Sequence, residues 1–348
     1  MKCPQCLANQ KYKDGMTCRG CGYRFALDPK KPPYITDSAF KSALLKLSHQ
    51  GRYWFTRDQL YVRIHRLIQQ KKRIGPVPLV IGGIFFAFWG SGMLMGIGMG
   101  MWAAILWILL LAAGIAGYRF RHVSVPPAIP ERLIQAYQSL HPIEHLADGR
   151  RLGKAIPQDL DEDLFAHGPE GILITDRSDT AEMLILNRFH FENRILVVSQ
   201  EKYPPSAFEA CRGFLSRHPD IPVYLIHDCS REGLRMQGKL VTDPEWGLDE
   251  KQIRNLGFHP GNVDRLKSPV WIPEALRDKE PKRIPKGSTA DHLQNGYRLP
   301  LGIAPPGAFA GTLALAVTAG LSLMSEELLA MQQESAASGS GGVSFGFG

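Results

Sequence analysis

With 348 residues the chain has room for one ordinary domain beside smaller modules, and its net charge of +8 is not spread along its length. Nine Lys/Arg against a single acid, Asp58, fall between Lys41 and Arg73, so the remainder is neutral in sum. That distribution excludes a generally polycationic protein and confines polyanion contact to one block, with membrane lipids as the default partner and nucleic acid as the alternative.

The chain opens on Met1-Lys2-Cys3 and polar sequence, without the apolar stretch of a cleavable signal peptide. Cys3-Pro4-Gln5-Cys6 and Cys18-Arg19-Gly20-Cys21-Gly22 are two CxxC pairs about a dozen residues apart. Each pair makes a tight knuckle with both sulfurs aimed at one ion, and Pro4, Gly20 and Gly22 permit the turns. Four thiolates complete a tetrahedral zinc ion and leave no open position for a substrate, so the expected site is structural, with Cys3, Cys6, Cys18 and Cys21 as ligands. Residues 1–26 resemble the zinc ribbon family, with every ligand position filled. In so short a segment the metal, worth about 10–16 kcal/mol in comparable peptides, would supply the folding energy. Two disulfides are the competing reading and require an oxidising compartment. Cys211 and Cys229 lie far away and read as buried thiols.

Residues 27–73 are read as a linker followed by a basic helical pair. The first helix runs from near Asp37 to His49, with Phe40, Ala43, Leu44 and Leu47 on one face, and Gly51 ends it. A second starts at Thr56, whose spacing to Gln59 is that of a capping box, and carries the apolar stripe Leu60, Ile64, Leu67 and Ile68. Arg57, Arg63, Arg66 and Lys71-Lys72-Arg73 fall on the outer faces. A helix-turn-helix DNA reader fits less well than a solvated or lipid-facing surface, because the loop from Gln50 to Phe55 is long and no third helix precedes the next segment.

From Ile74 to Tyr118 about 45 residues pass without a charge, bounded by Lys71-Lys72-Arg73 and Arg119-Phe120-Arg121. One helix of that length would rise about 65 Å, twice the hydrocarbon thickness, which predicts a two-helix transmembrane hairpin over 74–118 that reverses in the Gly90 to Gly100 stretch. Basic residues at both ends predict an integral membrane protein of the plasma or inner membrane, with its termini mainly cytoplasmic. Gly92, Gly96 and Gly100, four residues apart, allow close helix contact and hence oligomerisation through the hairpin. No ionisable group lies inside the spans, so an ion pathway is unsupported. A buried hairpin within a soluble core is the competing reading.

After a helical connector over 119–169 the pattern alternates. Gly171 to Asp176, Arg194 to Ser199 and Ile221 to Asp228 read as strands; Asp179 to Phe189 and Ser206 to His218 read as helices. Apolar strands separated by helices imply an α/β (Rossmannoid) domain with a mainly parallel sheet, whose carboxyl edge, carrying Asp176 and Asp228, lines the ligand crevice. Over 170–267 the chain resembles the Toprim domain of the topoisomerase VI A-subunit type. Asp176 follows the first strand, Tyr203-Pro204 the second, Asp228-Cys229-Ser230 with Gly233 the third, and Leu256-Gly257-Phe258-His259-Pro260 matches a later segment. The resemblance implies a magnesium site at Asp176 and Asp228. It also departs from the family: the usual first acid is Glu, Ser230 replaces the second Asp of the pair, and no winged-helix domain with a catalytic Tyr is found. An Asp after a strand also caps helices and shapes turns. His190, His227 and His259 match no ligand spacing.

Residues 268–334 read as a Pro- and Lys-rich extension with an apolar helix, Ala308 to Met324, and 335–348 as a disordered Gly/Ser tail. Together these features predict a multi-domain, membrane-anchored binding or scaffold protein facing the cytosol, with an unidentified protein partner and a degenerate Toprim-like domain. A magnesium-dependent phosphoryl-transfer enzyme or nuclease using Asp176 and Asp228, and a tethered nucleic-acid binder, are the alternatives.

Overall fold

The computed structural model describes residues 1–74, 124–153, 168–264, 266, 269–274 and 287–323. At the N-terminus two knuckles form, closed by the Cys3 N–H on Ala8 O at 2.9 Å and the Cys18 N–H on Tyr23 O at 2.8 Å. Gly22 sits at φ +75°, where a side chain would be strained. Asp37, only 1% exposed, welds the module to the next unit. It accepts the Ala26 and Leu27 N–H groups, both at 2.8 Å, and the Tyr23 hydroxyl at 3.0 Å.

Helix α1 (Asp37–Leu47), strand β1 (Phe55–Thr56), helix α2 (Arg57–Ile74) and helix α3 (Ala128–Gln138) share one core. The Thr56/Gln59 box is made in both directions: the Thr56 N–H donates to Gln59 Oε1 at 2.9 Å and the Gln59 N–H to Thr56 Oγ1 at 3.3 Å. Leu60, Ile64 and Ile68, four residues apart on one face of α2, are fully buried against Phe40, Phe55 and Ile134. Strand β2 (Leu146–Ala147) pairs in parallel with β1 and carries the chain to the α/β domain.

That domain runs through β3 (Gly171–Thr175), α4 (Ser178–Leu186), α5 (Phe189–Asn193), β4 (Ile195–Ser199), α6 (Pro205–Arg217), β5 (Val223–Ile226), α7 (Arg231–Thr242) and β6 (Ile253–Asn255). The four strands form one parallel sheet in the order β4-β3-β5-β6. Burial on both faces explains why its central strands read as unbroken apolar runs rather than alternating ones. Ile172 and Ile174 face the α6/α7 layer, and Leu173 between them faces the layer of α4. The connections change direction at β3, so the crevice at the carboxyl ends of β3 and β5 is the topological switch point.

The C-terminal extension is part of this fold, not a surface tail. After α8 (Pro260–Val263), β7 (Ile272–Pro273) and α9 (Thr289–Gln294), β8 (Tyr297–Arg298) pairs antiparallel with β7. Leu299 and Cys229 exchange both backbone hydrogen bonds, each 3.0 Å. Helix α10 (Pro306–Ala319) then buries Phe309, Leu313 and Ala316 against the sheet layer that holds Leu173.

The expected fold class is corrected at its membrane element. Among the described residues no helix is long and apolar enough to cross a membrane, and the integral-membrane localisation falls with it. The apolar helix of the extension has 14 residues, about 21 Å against a hydrocarbon core of about 30 Å, and it packs on protein. Of the hairpin expected over 74–118, Ile74 ends α2 and residues 75–118 lie outside the described residues, as do 119–123 and 154–167 of the connector, 324–334 of the extension and the Gly/Ser tail. What the structure supports is an α/β domain with a parallel sheet and a cysteine cluster.

Candidate functional site

The ligand atoms of Cys3, Cys6, Cys18 and Cys21 all lie within 4.8 Å of one another, and among the described residues these four form the one such metal-capable group. The Cys3–Cys21 and Cys6–Cys18 sulfurs are each 3.6 Å apart. Tetrahedral zinc with bonds of about 2.3 Å places its sulfurs about 3.8 Å apart, so the donor set fits that ion. Backbone N–H donors of Cys21 and Gly20 lower Cys18 to about 7. Despite the Tyr23 N–H, burial and the three neighbouring thiols raise Cys21 to about 12. Four thiolates therefore need a cation among them. Cys211 and Cys229 are buried in the α/β domain, and burial pushes the Cys229 thiol up to about 12.

A cleft of about 950 Å³ opens along the carboxyl edge of the sheet and is walled on its other side by the loop from Leu146 to Arg151. Asp176 and Asp228 both line it. Asp176 follows β3 and takes the Asp228 N–H on Oδ2 at 2.8 Å; its Oδ1 is buried and has no partner among the described residues. Burial, then the neighbouring Asp228 charge, raises Asp176 well above the usual carboxylate range. Asp228 has both oxygens engaged: Oδ1 accepts the Leu301 N–H at 2.7 Å, and Oδ2 accepts from the Arg298 guanidinium.

Arg298 also reaches Asp58 on α2 through two bonds of 2.7 and 2.9 Å. Burial alone would depress Arg298, but Asp58 and Asp228 outweigh it and hold the guanidinium well above its ordinary value. Burial likewise pushes Asp58 up, and Arg298 and Arg177 reverse this to leave it below the usual range. Arg177 lies across Asp179 at 3.1 Å. The sequence marked Asp58 only as the lone acid of a basic block and passed over Arg298. Nothing in local pattern joins positions 58, 228 and 298; only the fold brings them together.

The other positions that carry the resemblance in sequence make structural contacts. Ser230, standing where the second Asp of the pair was sought, caps α7 by accepting the Gly233 N–H at 2.9 Å. A Cβ on Gly233 would fall 2.4 Å from the Asp228 carbonyl. His227 donates from Nδ1 to that carbonyl at 2.8 Å, and a Cβ on Gly257 would strike its ring at 2.5 Å. The Tyr203 hydroxyl accepts the Leu152 N–H at 2.8 Å and donates to Glu182 at 2.9 Å.

Glu182, which sequence reading missed, is wholly buried on α4. Its Oε2 accepts the N–H groups of Asp148 and Gly149 at 2.8 and 2.7 Å; its Oε1 accepts those of Arg151 and Leu152 at 2.7 and 3.2 Å. One carboxylate thus fixes a whole loop at the mouth of the cleft. The basic block is less free than its charge suggests: Arg57 pairs with Glu131, and Arg63 and Arg66 are half-buried.

Comparison with protein-family models, with curated proteins and with solved structures gives no match to this chain.

Proposed function

We propose that this chain is a binding or scaffold protein whose degenerate Toprim-like α/β domain recognises a partner molecule at the cleft. In this reading a structural zinc ion holds the N-terminal ribbon, which offers a second contact surface for a protein or nucleic-acid partner. The observation that carries it is Arg298. A divalent ion needs several hard oxygen ligands, and here a guanidinium already stands among the carboxylates, engaging Asp58 and Asp228. Asp176, the other acid expected to hold the ion, favours its neutral form, which is a poor metal ligand. These features weigh against magnesium-dependent phosphoryl transfer or nuclease chemistry.

The test is a manganese titration of the zinc-loaded full chain, followed by electron paramagnetic resonance. The expected result is no saturable binding below about millimolar metal, a range in which working Mg²⁺ or Ca²⁺ sites fill. A stoichiometric site that Asp228→Asn removes would overturn the reading and restore the enzyme alternative.

A further inference from the structure

We infer that the cleft takes a dianionic group, a phosphate or a dicarboxylate, between the guanidinium groups of Arg150 and Arg151. This deepens the binding reading above and rests on it.

Most of the cleft's cations are already committed. Arg298 serves Asp58 and Asp228, Arg177 lies on Asp179, and Arg57 pairs with Glu131. Arg150 has no side-chain partner among the described residues and is exposed. The Arg151 guanidinium stands over the face of Trp54, 4.6 Å from the ring centroid, which leaves its edge donors free. Among the other carboxylates of the cleft wall, Glu201 takes the Ser178 hydroxyl, Asp148 takes the Arg150 backbone N–H and Glu232 pairs with Lys239, while Glu274 has no side-chain partner among the described residues.

The loop bearing the two arginines is built to hold still. A buried carboxylate ordinarily pairs with a cation; Glu182 instead accepts four backbone N–H groups of this loop and the Tyr203 hydroxyl. Gly149 turns the loop at φ +72° and lies so close to α4 that a Cβ would meet the Asp179 nitrogen at 2.9 Å. The platform beneath Arg151 is locked too. The Trp54 N–H donates to Asn187 Oδ1 at 2.8 Å, and the Asn187 amide donates back to the Trp54 carbonyl at 2.9 Å. Two exposed guanidinium forks, neighbours in sequence on a pre-organised loop that lines the cleft, are each able to take phosphate or carboxylate oxygens bidentately. Glu182 is a positioning residue in this arrangement.

The zinc-loaded full chain is titrated by calorimetry with inorganic phosphate and, separately, with malonate. Saturable binding of at least one anion is expected, and the arm that binds more tightly names the oxyanion. In Arg150→Ala/Arg151→Ala the affinity is expected to fall at least about tenfold, the loss of one charge-assisted contact or more. Arg150→Lys, which keeps charge without the fork, is expected to fall between. Both arginines are exposed, so the variants should melt with the parent, and melting curves check this. No saturable binding of either anion, or undiminished binding in the double variant, overturns the inference. The manganese experiment stands or falls independently of both outcomes.

Discussion

Replacing Arg298 with Met tests the central electrostatic arrangement. The side chains of Arg298, Asp58 and Asp228 are 11%, 12% and 3% exposed, so the substitution leaves two largely buried carboxylates without their shared cation. Removing one partner of a buried ion pair costs about 3–5 kcal/mol. The same range follows from the carboxylates: if one escapes its unpaired charge by protonating at pH 7, three units above its ordinary value, the cost is about 4 kcal/mol. Part of this is offset, since Asp58 keeps Arg177 at 3.7 Å and Asp228 keeps the Leu301 N–H. We therefore expect Arg298→Met to lose about 3–4 kcal/mol in urea unfolding of the zinc-loaded chain at pH 7. The sign with pH follows. Without the guanidinium the folded-state carboxylates titrate above their unfolded values, so the deficit is full above the folded pKa and vanishes below the unfolded one. In the parent, Asp58 is held low by Arg298, so its contribution is present at neutral pH and lost as pH falls through the acidic range. The first effect narrows the gap between variant and parent as pH falls from 7 to 5; the second adds to it only below the unfolded carboxylate value. A variant within about 0.5 kcal/mol of the parent, the range of ordinary surface changes, would refute the reasoning, as would a gap that does not narrow.

Glu182→Gln presents an amide donor to a ring of N–H donors; a loss of about 2–4 kcal/mol is expected, together with faster amide hydrogen exchange at residues 148–152. Asp176→Asn probes the opposite linkage, because Asp176 titrates above its unfolded value. Its neutral form stabilises the parent at low pH and that stability is lost as pH rises, so the Asn variant should gain on the parent between pH 4.5 and 7; a difference independent of pH would contradict a buried, raised carboxyl. Cys6→Ser removes one of four sulfurs. Metal analysis should show bound zinc falling from one equivalent toward none, with the amide dispersion of the ribbon lost.

The features legible in sequence are those written by local physics. Two CxxC pairs announce a four-thiolate cluster because ligand spacing is local, and the Thr56/Gln59 box announces a helix start because its two bonds span three residues. Buried parallel strands announce themselves as apolar runs, and the placement of Asp176 and Asp228 at one sheet edge follows from the alternation of strands and helices. The long uncharged run suggests a membrane hairpin by its length, its apolar character and its basic flanks, and the membrane-protein expectation built on it is not supported: among the described residues no helix is long and apolar enough to cross a membrane. Asp228 illustrates the limit. The alternation of strands and helices places it at the end of a strand, yet its partners, Arg298 and the Leu301 N–H, come from the C-terminal extension. Glu182 was illegible for a related reason: a lone Glu on a helix gives no sign that four backbone donors of a loop some thirty residues earlier converge on it.

The same long-range origin has an energetic consequence. Asp58 belongs to the helical unit, Asp228 to the sheet and Arg298 to the C-terminal extension, and each would be a buried, uncompensated charge if the others were undocked. The extension also supplies β8, the Leu299–Cys229 bridge and the Ala304 carbonyl that accepts from the Gln59 side chain at 3.1 Å. Undocking the extension exposes the apolar faces of the other two and removes the cation that Asp58 and Asp228 share. The units joined by this triad therefore have no inexpensive partly assembled state, and the helical unit and α/β domain should open together rather than separately.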